Sequence, residues 1–310
     1  MNWKLKAAIQ RACGALPAGR EAIYYSLQRT LGLLRDPDLP LVMQRAAALM
    51  AAELRDHGVE LRGKRVMEVG TGWRVDLPIA LFLCGTRSIV TYDLHRYLKP
   101  RLVMSAVATL WRNRQLLTDI LGPFTDRAEL GHRLERLARA ANTREVFKIA
   151  GIEYRAPADA TRSGLPTGSI DLHLSFTVLQ HIPRAVLVDI LREASRVLAP
   201  GGLACHHIDL SDQFARADPL ISRSHFLRYS DEEWAAYSNN QFAYHNRLRV
   251  ADYERAYREA GHQIVGWATE IDDRSLREIA DGFPVAERFR GFAPELLATD
   301  TIRAISRPAA

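Results

Sequence analysis

Up to about residue 60 the chain consists of helix-favouring runs, such as MQRAAALMAAELRDHG (Met43–Gly58), which closes on a glycine stop signal. The pattern then switches to short β-type runs. RVMEV (Arg65–Val69) leads into a glycine-rich turn, DLPIALFLCG (Asp76–Gly85) returns to helical spacing, and SIVTYD (Ser88–Asp93) is a second β-type run ending in an acid. Strand, turn, helix and strand in that order predict a βαβ unit and a parallel sheet. A helical block at roughly 97–149 is too long for one crossover and reads as an insertion. Further strands are expected within Ile152–Ala160, Ser169–Arg184 and Leu203–Leu210, with the helix AVLVDILREASRVLAPGG before the last of these. A loop-rich aromatic stretch, 211–246, resembles a lid. RVADYERAYREAG then predicts a helix, HQIVGWATEI a strand, and DTIRAISRP a final edge strand. The fold class is α/β with a doubly wound, mostly parallel sheet. An N-terminal helical extension (1–60) precedes one domain (61–310) that carries both insertions.

Composition narrows the classes. Of 310 residues, 47% are apolar and 25% charged, enough for a substantial core. The net charge of +6 is spread among interspersed acids and bases, without the one-sided basic face of a nucleic-acid binder, so no stable nucleic-acid partner is expected. Cys13, Cys84 and Cys205 lie far apart and read as reduced thiols, which fits a cytoplasmic protein without a disulfide framework. No apolar run approaches the roughly 20 residues that span a bilayer. The first helix is amphipathic, with Trp3, Leu5, Ile9 and Ala12 set against Lys4, Lys6 and Arg11, and offers a surface for packing on its own domain, for a homodimer, or for lying on a membrane.

The chemistry-bearing residues fall at the ends of the β-type runs, where ligands of open α/β sheets sit. Gly70-Thr71-Gly72 follows the first run, and Asp93, 21 residues beyond Gly72, ends the second. Glycines let backbone approach a ligand, and an acid on the next strand can accept hydrogen bonds from both hydroxyls of a ribose. A pyrophosphate would want a third glycine, but bulky Arg74 or Val75 stands there, so the pattern favours an adenosine ligand without one.

With VMEVGTG, VTYDL, APADATRSGLPTGSIDL and SFTVLQHIPRAVLVDILREASRVLAPGGL in this order, the sequence resembles class I S-adenosylmethionine-dependent methyltransferases from about Arg65 to Ile208. The resemblance implies S-adenosylmethionine as cofactor. It places Gly70, Thr71 and Gly72 against the cofactor, Asp93 on the ribose, and Asp159 with Ala160 at the adenine. Ser175 and Phe176 would flank the methionine portion, and Glu68 would sit beneath the turn, facing the cofactor's amine or its water shell.

The acceptor side is read from the fifth strand and the lid. HHIDLSD (His206–Asp212) lies where a hydroxyl acceptor needs a base, and strand alternation puts His207 and Asp209 on one face. These two are the catalytic candidates. His181, Tyr229, Trp234, Tyr237 and Arg247 are the candidate substrate contacts. No fixed-spacing metal motif is present, and no metal is expected. The expected activity is methyl transfer to oxygen or nitrogen of a small-molecule acceptor. The alternatives are an RNA or protein methyltransferase, or a related fold that holds the cofactor without transferring methyl.

Overall fold

The switch from helical spacing to a short β-type run at residue 65 marks the start of the sheet. The first strands are β1 (Arg65–Val69), β2 (Ser88–Tyr92) and β3 (Ile152–Arg155), followed by β4 (Ile170–Phe176) and β5 (Leu198–Asp209). Strands β6 (His262–Ile271) and β7 (Thr299–Pro308) come last. In the computed structural model they take the order β3-β2-β1-β4-β5-β7-β6. The structure describes residues 1–310 except Leu31, Leu33, Arg35 and Ala310. Those positions of the expected N-terminal extension and terminal domain therefore lie outside the described residues.

Two compact units divide the chain, one holding 29–175 and 192–205, the other 1–28, 176–191 and 206–309. In the first unit β1 pairs in parallel with both β2 and β4, and β2 with β3. Helix α4 (Asp76–Leu83) connects β1 to β2 and is buried along all eight residues, as its apolar sequence requires. Helices α5 (Pro100–Arg112), α6 (Arg114–Leu121), α7 (Arg127–Ala138) and α8 (Thr143–Ala150) fill the span between β2 and β3. Asp126 and Asn142 cap the last two by accepting hydrogen bonds from Glu129 N and Glu145 N. Helix α3 (Leu39–Asp56) also belongs to this unit and buries Met50 and Leu54 completely.

The second unit has two apolar clusters. One gathers Leu179, Leu187, Leu191, Ile208, Tyr253, Tyr257 and Ile302. The other joins Trp3 and Ala7 of α1 (Trp3–Gly14) to Phe214, Phe226, Trp234, Phe289 and Leu297. The lid-like stretch thus contains a short helix, α10 (Asp231–Ser238), with a Ser230/Glu233 capping box, and α1 packs among its aromatic rings. Strand β7 departs from expectation. It is not at the edge but runs antiparallel beside β6, with β5 on its other side, and Leu210 N donates to Asp300 O at 2.7 Å. Alternation in DTIRAISRP specifies a strand, but an edge and an internal strand share that pattern.

Candidate active site

The sheet order reverses between β1 and β4, and the glycine turn lies at the carboxyl end of β1. Gly70 (φ 93°) donates its N–H to Tyr92 O at 2.8 Å, and Gly72 (φ 67°) donates to Asp93 Oδ2 at 2.8 Å. Both sit in the left-handed region that side chains disfavour. Asp93 Oδ1 accepts from His95 N at 3.0 Å, which fixes the half-buried carboxylate beside the turn. Burial raises its pKa, and the bonds from His95 and Gly72 oppose that rise. A Cβ built on Gly72 would meet nothing within 4 Å, so the turn opens onto space that a ligand can fill.

Ala158 N donates to Asp93 O at 2.9 Å, which brings the 157–160 loop to the same strand end. There Asp159 is exposed and its Oδ1 accepts from Thr161 N at 2.8 Å, capping a short 3-10 turn, while Ala160 is buried. Ser175, near the end of β4, is fully buried, and its Oγ has no hydrogen-bond partner among the described residues. Open space over Gly72, a carboxylate with lone pairs to spare and an orphaned hydroxyl fit an adenosine ligand with polar substituents.

Beneath the turn the side chains turn inward. Thr91 donates its hydroxyl to Glu68 Oε2, and the Thr71 hydroxyl in turn donates to Thr91 Oγ1 at 2.5 Å. The Thr71 side chain is thus spent inside the protein, which leaves its backbone as the part able to meet a ligand. Glu68 is pushed up to about 8 by burial, with Thr91 opposing and the charges of Asp93 and Asp76 adding to the rise. Asp76, the first residue of α4, pairs with Arg74 Nε at 2.7 Å. Trp73 packs its ring against Tyr97 at 4.9 Å. Sequence reasoning missed Thr91 and the Arg74–Asp76 pair. Nothing local in SIVTY singles out Thr91, whose role depends on Glu68 and Thr71 from beyond its own strand.

In the second unit, Thr177 (φ 53°) follows Phe176 and donates its N–H to His207 O at 2.8 Å. A β-branched residue in that region is strained, and such strain concentrates at functional sites. The Phe176 and His207 rings lie 5.6 Å apart. The Asp209 carboxylate accepts from Ser211 N at 2.9 Å, Ser211 Oγ at 2.5 Å and Gln213 Nε2 at 3.2 Å, and it pairs with Arg216. Burial would raise its pKa, but Arg216 and Ser211 hold it below the usual carboxylate range. Asp209 is therefore an anchor for the loop that follows β5. A free base is not what its contacts describe.

Arg247 corrects another expectation. It is 2% exposed and donates to Phe226 O at 2.9 Å, Tyr229 O at 2.7 Å and Ser230 O at 3.2 Å, besides pairing with Asp231. Its guanidinium ties the 226–231 loop together from inside, so it is not held out as a substrate contact. Tyr229, Trp234 and Tyr237 do come together, with Tyr229–Trp234 centroids 6.0 Å and Tyr229–Tyr237 centroids 5.7 Å apart, and Trp3 joins them 4.9 Å from Tyr237. Trp234 is buried and the two tyrosines are half-buried. His181 is exposed and donates from Nδ1 to Tyr244 O at 2.8 Å. Its ring meets His245 edge-on at 5.8 Å. His245 itself is buried, with Nε2 donating to Asp209 O at 3.3 Å and Nδ1 accepting from Arg247 N at 3.1 Å.

Residues 128–206 match the family model described as a methyltransferase domain, a stretch that runs from α7 into β5 and leaves the glycine turn and Asp93 outside it. Over that stretch, about a quarter of the chain, it is similar to a methyltransferase domain, and the parallel sheet with the glycine–acid couple at its switch point accords with that likeness. The chain is similar to an S-adenosylmethionine-dependent methyltransferase from Mesorhizobium loti, at 18% identity and TM-score 0.45, over 83% of this chain and 96% of that one. It is also similar to a SAM-dependent methyltransferase from Methanosarcina mazei, at 12% identity and TM-score 0.45, over 83% and 97%. A third likeness is to a SAM-dependent methyltransferase from Leishmania major, at 12% identity and TM-score 0.43, over 98% and 82%. Likenesses at this level leave the chemistry to the chain's own residues. A comparison with curated proteins gives no match.

Proposed function

We propose that this methyltransferase transfers the methyl group of S-adenosylmethionine to an oxygen or nitrogen of a small-molecule acceptor. The observation that carries the cofactor half is the Gly72 N–Asp93 Oδ2 bond at 2.8 Å, which joins turn and acid at the sheet's switch point. Asp93 would accept the ribose hydroxyls, the Asp159–Ala160 loop would meet the adenine, and Ser175 and Phe176 the methionine portion. Gly70 and Gly72 bring backbone close to the ligand, and Thr71 contributes its main chain.

The cofactor supplies an electrophilic methyl, and the protein supplies orientation and, for a hydroxyl acceptor, a base. His207 is the residue we assign as base, and Asp209 orders the loop beside it. Tyr229, Trp234 and Tyr237 would recognise the acceptor through ring faces and phenol hydroxyls, with His181 contributing Nε2. Helix α1 buries Trp3, Ala7, Gln10 and Cys13 in its own unit and leaves Leu5 exposed, so a homodimer would use the Leu5 face.

Calorimetry tests the cofactor half. S-adenosylmethionine and its demethylated product should bind, and Asp93→Ala should weaken both by tenfold or more, about 1.5–3 kcal/mol for hydrogen bonds to a charged group. NAD binding in their place would overturn the reading. A metabolite screen for a gain of one methyl group identifies the acceptor, and a product methylated only on RNA or protein would refute the small-molecule assignment.

A further inference from the structure

Three carboxyl groups are tied to the region of the glycine turn, and the charges of Asp93 and Asp76 act on Glu68. Glu68 comes from β1, Asp93 follows β2 and Asp76 opens α4, and Glu68 and Asp76 are 4% and 5% exposed. The guanidinium of Arg74 answers one of them, through Asp76 Oδ2 at 2.7 Å, and Asp76 Oδ1 has no hydrogen-bond partner among the described residues. The Lys99 ammonium lies over the Trp73 ring, 5.6 Å from its centre, and His95 meets Asp93 through its backbone N–H at 3.0 Å. On the other side, β4 brings Leu174 into register with Glu68. The hydroxyl of Thr91 points its proton at Glu68 Oε2, which leaves Oε1 as the atom able to carry a proton of its own.

From this arrangement, and resting on the cofactor reading above, we infer that Glu68 is protonated in the cofactor-free protein and gives its proton to solvent when the cationic methyl donor binds. An ionised, buried Glu68 that feels the charge of the Asp93 carboxylate costs more than a neutral one. Burial acts in the same direction and holds the Glu68 pKa near 8. S-adenosylmethionine brings a sulfonium and an α-ammonium, and positive charge within a few ångströms favours the ionised carboxyl. The O–H bond at Glu68 breaks, its proton goes to buffer, and no other covalent bond changes. The demethylated product lacks the sulfonium and should draw off less of the proton. Glu68 would thereby sense the charge that distinguishes donor from product.

The test is calorimetry of the whole protein at pH 6.5, where ordinary α-amino groups, titrating near 7.7–8.0, remain protonated. Each ligand is titrated in phosphate and in imidazole buffer, whose heats of ionisation differ. S-adenosylmethionine should release about half a proton or more, and the demethylated product less. Glu68→Gln should bind both ligands with a much smaller buffer dependence, the remainder belonging to Asp76, which burial raises to about 6. A second, variant-free readout is the wild-type affinity for S-adenosylmethionine, which should tighten several-fold between pH 5.5 and 7. Equal heats in both buffers for the wild type, or proton release undiminished in Glu68→Gln, would overturn the inference while leaving the cofactor reading intact. Failure of both ligands to bind would remove the cofactor reading and the inference with it.

Discussion

In the unfolded chain Glu68 ionises near its ordinary value of 4.5, whereas in the folded protein burial keeps its proton on up to about 8. A folded-state value raised in this way contributes stability below the unfolded value, and the contribution is lost as pH rises through about 8. Glu68→Gln keeps the shape and removes the titration. The variant should therefore be more stable than wild type at pH 8, by about 4 kcal/mol, with the gap closing near pH 4.5. A melting series of cofactor-free protein across that range checks the sign. Gly72 is the second residue whose consequences are specific. At φ 67° an alanine is strained, by about 1 kcal/mol, and its methyl would enter the open space over the turn. Gly72→Ala should lose cofactor affinity by a larger factor than it loses stability, as parallel calorimetry and melting curves would show. Gly72 and Asp93 were legible in the sequence because glycine spacing and the acid-ending strand are local patterns. Arg74 and Thr91 were not, because what a long or hydroxylated side chain does depends on partners that only the folded sheet supplies.

Among the elements, the segment 245–249 carries more architecture than its sequence suggests. Asn246 Nδ2 donates to Leu179 O and Ile182 O, both at 2.9 Å, and its backbone N–H reaches Gln180 O at 2.8 Å. Arg249 is fully buried, with its pKa lowered to about 10 by that burial. Its guanidinium donates to Leu210 O at 3.0 Å, Leu296 O at 3.2 Å and Leu297 O at 3.0 Å, and also to Thr299 O. Those carbonyls follow β5 and surround the start of β7, so one side chain satisfies backbone that the sheet leaves unpaired. Arg249→Met should cost about 3–5 kcal/mol, since it orphans several buried acceptors at once. Arg247→Met should loosen the 226–231 loop by the same logic, and amide exchange would locate both effects. Neither arginine announced this role in sequence, where a pair of basic residues beside aromatics resembles a substrate clamp. The helices and strands themselves were far more legible, since their apolar periods are set by the faces they bury. Strand order was less so, because alternation names a strand without naming its neighbours.

At the scale of the whole molecule, two buried groups set opposing limits on pH. His245 is held neutral by burial, with its pKa lowered to about 3. Its stabilising contribution is complete above the ordinary histidine value and fades as pH falls from there toward 3. Glu68 acts in the opposite sense at the alkaline side. Cofactor-free protein should therefore be most stable in mild acid, around pH 5–6.5 as an order-of-magnitude window from these two groups. Saturating S-adenosylmethionine should shift that maximum upward, because ligand binding favours the ionised Glu68. Scanning calorimetry with and without ligand reads the shift. Among the described residues no helix is long and apolar enough to cross a membrane.

The place of β7 between β5 and β6 bears on how the polypeptide is made. During synthesis β6 emerges first, yet its neighbour toward the centre of the sheet has not been translated. Until Thr299–Pro308 leaves the ribosome, β5 offers an unfilled edge and β6 has nothing to join. Nascent chains halted before Thr299 should accordingly be captured by chaperones or aggregate, whereas chains whose Thr299–Pro308 segment has cleared the ribosome should fold.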